Sequence, residues 1–185
     1  MIKAMIPLGL GLALLACLPA AQGQTSTSVR SASDPAPDRL DLAARLLAKH
    51  NDERVGEGLP RLVWNAGLAQ GAAEWARTIA RDGNMRHSPK SSRPEQGENL
   101  WMGTADFYSI EHMMDRFLDE KRDFRPGIFP DISKTGEWQD VAHYTQIIWP
   151  ETREMGCALA SANGRDALVC RYLPAGNVRG RPVGL

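Results

Sequence analysis

The residues best suited to chemistry in this chain are its four histidines and the carboxylates around them. His50, His87, His112 and His143 stand far apart, and none lies in the His-Glu-x-x-His spacing of a dedicated zinc protease. Ser88 directly follows His87, but the chain contains no Gly-x-Ser-x-Gly nucleophile elbow. Any metal site or acid–base site must therefore be assembled by the fold from distant segments.

A second chemical pair is Cys157 and Cys170, which flank the dipeptide Asn163-Gly164. Asn-Gly is the strongest short signal for a two-residue hairpin, because both residues tolerate positive φ. A turn at this dipeptide places the two cysteines opposite each other at a non-hydrogen-bonded position, where Cα atoms approach closely. A disulfide can form across such a pair and would contribute roughly 3 kcal/mol. Two free buried thiols are the alternative, and an oxidising compartment favours the disulfide.

The elements that must position these residues are helices in the first part of the chain and strands in the last. Apolar residues recur at helical spacing over residues 40–57, 66–81 and 105–121. Short apolar runs predict strands over residues 145–149, 155–160 and 167–173. Residues 123–138 are rich in Pro and Gly, so we expect them to be irregular. This order favours an α+β or three-layer architecture over a doubly wound one.

The N-terminal residues have the pattern of a secretory signal peptide. Lys3 supplies a positive start, and residues 6–18 form an apolar run that is too short for a comfortable membrane span. Small residues follow as far as Gly23. We therefore predict a signal peptide over residues 1–23, which places the mature protein in the periplasm or outside the cell.

The rest of the chain is predicted to be one domain on a tether. Residues 24–38 are rich in Ser, Thr, Pro and Ala, which indicates a flexible tether. The domain is expected over residues 39–180, followed by a short tail over residues 181–185. Cys17 lies in a run that loosely resembles a lipoprotein cleavage box, but Leu15 is larger than that box usually takes. Lipid anchoring at Cys17 is therefore the less favoured alternative.

The charge of the mature chain excludes nucleic acid as a partner. Removing Lys3 from the 22 basic residues leaves 21 against 22 acidic residues, a formal net charge of −1. Affinity for nucleic acid requires an excess of positive charge. No second long apolar run follows the signal peptide, so we expect no transmembrane segment in the mature protein.

Four motifs resemble, in the right order, those of the CAP superfamily of cysteine-rich secretory, antigen 5 and pathogenesis-related 1 proteins, also called the SCP domain. They are His50-Asn51 with Arg54, Gly97-Glu98-Asn99-Leu100, His143-Tyr144-Thr145-Gln146, and Cys170-Arg171-Tyr172-Leu173-Pro174. The resemblance extends over residues 40–177. It implies an α+β fold, a three-layer α–β–α sandwich with a central, mostly antiparallel sheet. The signal peptide and tether resemble those of bacterial envelope proteins.

The resemblance also implies a cleft lined by two histidines and two glutamates. These carry over onto His87, Glu98, Glu120 and His143. Periodicity alone does not select Glu120, because Glu111 lies equally well on the other flank of the third helix's apolar stripe. The family alignment selects Glu120. His112 projects away from the stripe and is expected at the surface.

A separate set of polar residues is expected to be structural. His50, Asn51 and Arg54 fall on the apolar face of the first helix, and each buried polar group left without a partner would cost roughly 1–3 kcal/mol. We therefore predict that they form a core polar network together with Asn99. Trp101, close to Asn99 in sequence, is the aromatic residue expected near the cleft.

Three chemical interpretations of the His/Glu cleft stay open at this stage. His87 and His143 could form a weak, open site for a divalent cation such as Zn²⁺. A His–Glu pair could instead act as an acid–base catalyst near neutral pH. The cluster could also be structural and hold the cleft open for a ligand.

The resemblance favours a non-enzymatic, exported protein whose cleft takes a small ligand, a lipid or a divalent cation. Members of the family are mostly known as secreted binding or effector proteins, some of which bind lipids or sterols. The alternative from another class is a metal-assisted hydrolase acting on a peptide or an envelope polymer. A third hypothesis is an interaction module, in which the irregular residues 123–138 contact an envelope or host protein.

Overall fold

The computed structural model of the chain describes residues 37–184 as one folded unit. In chain order its elements are α1 (Pro37–Gly56), β1 (Val63–Trp64), α2 (Ala66–Asp82), β2 (Gly97–Thr104), α3 (Ile110–Leu118), β3 (Gly127–Ile128), α4 (Ala142–Ile147), β4 (Glu154–Ala162), β5 (Arg165–Leu173) and β6 (Pro182–Val183). The predicted signal peptide and all but the end of the predicted tether lie outside the described residues. Within residues 37–184, no helix has the length and apolar character needed to cross a membrane.

The main sheet has the strand order β1-β4-β5-β2. β4 pairs with β5 and β5 with β2 in antiparallel fashion, whereas the short β1 runs parallel to β4. β3 and β6 form a separate two-stranded sheet. Residues predicted as a C-terminal tail therefore include a strand, and Val183 within it is fully buried.

The hairpin predicted from Asn163-Gly164 is confirmed. Both residues have positive φ, 50° and 73°, as a two-residue turn of this type requires. The register places Cys157 opposite Cys170, and the two form a disulfide with a Cα–Cα distance of 4.0 Å. The turn at Asn163-Gly164 therefore determines the pairing of Cys157 with Cys170, although five residue pairs separate the two cysteines from the turn.

Helices cover both faces of the sheet, which confirms the α–β–α sandwich. α2 packs on one face through a stripe of small residues, and the apolar cluster there contains Ala72, Ala76, Ile79, Ala80, Leu100, Ala167 and Val169. The larger cluster on the opposite face joins α1, α3 and α4 to the sheet through residues that include Leu46, Met113, Met114, Ile147 and Trp149. Small side chains let α2 approach closely, so Gly156 of β4 leaves no space for a Cβ against the α2 backbone.

Two predicted elements are wrong in type or extent. Residues 145–149, predicted as a strand, belong largely to α4, which ends at Ile147. Residues 144–149 are buried on every side, so their apolar character carries no periodicity that separates helix from strand. The helix predicted over residues 105–121 begins only at Ile110, because the Ser109 side chain caps it by accepting from the His112 N–H.

Candidate functional site

The first His–Glu pair joins the loop after α2 to strand β2. The Nδ1–H of His87 donates to Glu98 Oε1 over 2.9 Å. The Glu98 side chain is fully buried, whereas 57% of the His87 side chain is exposed. The carboxylate therefore fixes the ring from inside the protein, and the exposed ring faces solvent.

Four further donors or charges surround Glu98. The Ser88 backbone N–H donates to its Oε1 over 2.9 Å, and the Ser88 hydroxyl donates to its Oε2 over 2.7 Å. Arg93 and Arg171 place guanidinium nitrogens 3.6 and 3.5 Å from the carboxylate. Burial by itself raises the pKa of Glu98, but the hydrogen bonds from His87 and Ser88 and the Arg93 charge outweigh it and hold the pKa below its usual value. Glu98 is therefore an anion at neutral pH.

The second pair joins the 3₁₀ turn Asp119–Arg122 to the start of α4. The Nδ1–H of His143 donates to Glu120 Oε1 over 2.6 Å. Glu120 Oε2 accepts from the backbone N–H groups of His143, at 2.9 Å, and of Tyr144, at 3.0 Å. The His143 ring also stacks on Phe117, with 4.7 Å between centroids. One carboxylate thus caps the helix and orients the imidazole that the helix carries.

Three of the four predicted residues line one cavity of about 270 Å³: His87, Glu98 and His143. Glu120 does not line it, but with His143 it lines a neighbouring cavity of about 220 Å³, which also contains Trp101. The fold therefore brings both pairs to one cleft, with His143 between the two cavities.

Five polar residues also line the larger cavity. They are Lys90, Arg93, Asn99, Gln146 and Asn177, with Trp138 as the aromatic residue. Ala142, Gly97 and Gly176 complete the wall, and a Cβ at either glycine would collide with the Gln146 side chain. The two glycines therefore allow Gln146 to pack directly against the backbone of the cleft.

The predicted network residues His50 and Asn99 meet at a buried tyrosine behind the cleft. His50 Nδ1–H donates to the Leu46 carbonyl over 2.7 Å, so its Nε2 accepts from the Tyr172 hydroxyl over 2.8 Å. Asn99 donates to the same hydroxyl oxygen and to the His143 carbonyl. Burial lowers the pKa of His50 to about 4, despite its bond to Leu46. His50 is therefore neutral, and its network reaches the backbone of His143.

The other two network residues bind backbone. Asn51 exchanges two hydrogen bonds with the N–H and carbonyl of Leu62. The fully buried Arg54 donates to four carbonyl groups, those of Pro60, Ile147, Trp149 and Thr152. These bonds tie α1 to the segments that flank β1 and α4, and neither side chain lines the cleft.

The sequence analysis missed the two arginines that face Glu98. Arg93 lies in a polar loop that gave no signal, whereas Arg171 interrupts the apolar run of residues 167–173 and is buried. A buried arginine requires a carboxylate or several acceptors, so Arg171 was a signal for a buried partner such as Glu98. Glu111, the residue that periodicity could not separate from Glu120, binds Arg45 on α1 instead.

The donor set for a metal ion consists of two imidazoles. Within residues 37–184, no three His, Cys, Asp or Glu side chains are arranged to hold a metal ion together. His87 and His143 each donate Nδ1–H to a carboxylate, which leaves Nε2 with a lone pair in the neutral ring. Carboxylate-bound imidazoles are the usual form of histidine metal ligands, so the two residues fit a cation with an incomplete protein shell.

The family model and the relatives that match this chain belong to the same family. The family model of the cysteine-rich secretory proteins, CAP, matches residues 47–172. The chain is 32% identical over 136 residues to pathogenesis-related protein 1B of Nicotiana tabacum, covering 73% of this chain and 76% of that protein. It is 33% identical over 134 residues to the human Golgi-associated plant pathogenesis-related protein 1, covering 72% and 82%.

The fold also resembles solved structures. The crystal structure of NaASP2 with Zn²⁺ superposes with a TM-score of 0.65 at 21% identity, covering 75% of this chain and 82% of that one. At that identity the likeness shows the fold alone.

Proposed function

This chain belongs to the cysteine-rich secretory protein (CAP) family, and from that premise we propose that it is an exported, non-enzymatic protein. Its cleft binds a divalent cation through His87 and His143. One observation carries the proposal: two imidazoles line the same cavity, and each is fixed at Nδ1 by a carboxylate. Fixed rings with a free Nε2 lower the entropy cost of coordination. The Zn²⁺ in the NaASP2 structure supports zinc as the first ion to test.

The composition of the cleft supports an ionic or polar ligand in preference to a lipid. Lys90, Arg93 and the amides of Asn99, Gln146 and Asn177 line the cavity. An acyl chain placed against these groups would desolvate them without offering hydrogen bonds in return. A small polar molecule that completes the coordination of the cation is the ligand that fits this lining.

Export is supported by the covalent chemistry of the fold. The disulfide between Cys157 and Cys170 is of a kind that persists in oxidising compartments. The predicted signal peptide over residues 1–23 agrees with that compartment. Both features fit a protein that acts outside the cytoplasm.

The hydrolase alternative has weaker support. The Ser88 hydroxyl donates to Glu98 Oε2 and accepts from Arg171, so it is not activated by His87. A hydrolase built on this cleft would have to activate a water molecule. Metal-dependent turnover is therefore the measurement that separates the two functions.

Zinc titration by calorimetry tests the proposal. The wild-type chain is expected to bind zinc at one weak site, and His87→Ala/His143→Ala is expected to reduce the affinity at least about tenfold. His112→Ala is the matched control, because His112 is exposed, stacks on Tyr108 and lines neither cavity of the cleft. Absence of zinc binding by the wild type, or an equal loss in the control, would contradict the proposal. Zinc-dependent hydrolysis of a peptide library, abolished in the double variant, would favour the hydrolase.

A further inference from the structure

Strand β4 has an open edge for most of its length. β1 pairs only with Glu154 and Met155 of β4 and then stops, because Asn65 caps the start of α2. Beyond that point, within residues 37–184, β4 has a neighbouring strand only on its β5 side. The outer side of residues 157–162 therefore has no paired strand; Cys157 is buried there, whereas Leu159 is half-buried and Ser161 is exposed.

The register shows which backbone groups point to this edge. Ala162 and Arg165, which flank the turn, form a hydrogen-bonded pair, and hydrogen-bonded and non-hydrogen-bonded pairs alternate along the two strands. The non-hydrogen-bonded positions of β4 are therefore residues 161, 159, 157 and 155. Their N–H and C=O groups point away from β5. The Met155 carbonyl confirms the phase, because it accepts from the Asn65 N–H on the β1 side. Leu159 and Ser161 continue this phase and have no backbone partner on that side among the described residues.

The edge lacks the features that normally prevent strand addition. Residues 157–162 read Cys-Ala-Leu-Ala-Ser-Ala, with no charge, no proline and no bulge. A groove of about 220 Å³ lies beside it. α1 contributes Leu42 and Ala43 to this groove, and α2 contributes Ala69, Ala73 and Arg77.

The charge of the groove indicates its occupant. Arg77 is the charged side chain among the residues that line it, and within residues 37–184 it makes no ion pair. The rest of the lining is apolar, and its large side chains are Leu42, Trp64 and Leu159. A strand alternates its side chains between two faces, so a complementary segment carries apolar residues on one face and a carboxylate on the other.

We propose that the open edge of β4 is a binding site for an extended, acidic peptide segment of a partner protein, which adds to the sheet as a strand. Its backbone pairs with the outward groups of Leu159 and Ser161. Its carboxylate pairs with Arg77. Main-chain hydrogen bonds supply affinity in this mode, and the groove supplies selectivity.

Fluorescence anisotropy on the full chain tests the site with labelled acetyl-Val-Thr-Val-Glu-Val-Thr-amide and its Gln and Lys counterparts. We expect the Glu peptide to bind about three- to tenfold more tightly than the Gln peptide, with the Lys peptide weakest. Arg77→Gln should remove the preference for Glu. Ser161→Pro removes an outward N–H that is not hydrogen-bonded to β5, and should lower the affinity for the Glu peptide at least about tenfold. Ser161→Ala is the control, because it loses the same hydroxyl and keeps the N–H.

Amide hydrogen exchange gives a residue-level readout. With the Glu peptide bound, the amides of Leu159 and Ser161 should become protected, whereas those of Ala158 and Ala160 are protected with or without it. Unchanged exchange at Leu159, binding of none of the peptides, or equal binding by wild type and Ser161→Pro would overturn the proposal. Concentration-dependent protection together with a dimer mass in light scattering would overturn it in favour of a second copy of the chain.

Discussion

The buried imidazole of His50 makes the stability of the fold dependent on pH in a defined window. Its folded pKa is about 4, against an ordinary value of 6.5, because burial disfavours the charged ring and Arg54 adds repulsion. The unfolded chain therefore binds a proton as the pH falls below about 6.5, while the folded protein does so only near pH 4. The contribution to stability is complete above pH 6.5 and is lost progressively between these two values.

The size of the effect follows from the two pKa values. At about pH 5, proton binding favours the unfolded state by a factor of about 30 at this site, which corresponds to about 2 kcal/mol. At about pH 7.5 the same term is close to zero. This loss is a large part of the stability of an ordinary domain.

Urea denaturation of wild type and His50→Gln at several pH values measures this term. The variant keeps a hydrogen-bonding amide and has no titrating group, so other ionisable residues cancel in the difference between the two proteins. The stability advantage of the wild type should shrink by about 2 kcal/mol between about pH 7.5 and pH 5. Parallel pH profiles for the two proteins would refute the reasoning and would mean that His50 is charged or solvated in the fold.

Three further changes test the contacts around the site. Glu120→Gln should lower the unfolding free energy by about 1–3 kcal/mol, because Glu120 accepts from two backbone N–H groups and one imidazole. The same variant should weaken zinc binding in calorimetry. Its control is Glu111→Gln, at an exposed ion pair, which should lower the unfolding free energy by less than about 1 kcal/mol. Arg54→Met should cost more than about 3 kcal/mol in denaturant unfolding, since it removes a buried donor from four carbonyl groups, of which those of Trp149 and Thr152 keep one other hydrogen bond. Replacing Cys157 and Cys170 together by Ser should cost about 3 kcal/mol without changing the far-UV circular dichroism.

Local rules in the sequence predicted the parts of the fold that depend on them. The Asn163-Gly164 turn allowed the disulfide register to be derived, because each strand residue opposite β5 is then fixed by counting. α2 was predicted nearly to its last residue, since its alanine stripe is periodic and Gly83 ends it in a left-handed conformation. α4 was not predicted as a helix, because its short apolar run is buried on every side and only tertiary packing makes it helical.

The candidate site depended on long-range pairing, which the residues alone did not specify. Glu120 and Glu111 were equivalent by helical angle, and the choice rested on a family resemblance. In the structure the helix ends at Leu118, so Glu120 lies on a 3₁₀ turn whose direction the period of α3 does not determine. That change of path carries Glu120 to the start of α4, where His143 lies. Periodicity failed here because the helix had already ended.

The two His–Glu pairs differ in how much of the fold holds them, and this difference predicts how the cleft responds to a ligand. His143 is fixed by Glu120, by stacking on Phe117 and by its carbonyl bond to Asn99. His87 is held by Glu98 alone and is more than half exposed. A ligand that contacts both rings must therefore adapt to His143 and can move His87. Fixing the exposed His87 side chain is then the main conformational cost of binding, because the backbone beside it is already held by the bonds of Ser88 to Glu98. Most of the affinity comes from the preorganised half of the cleft.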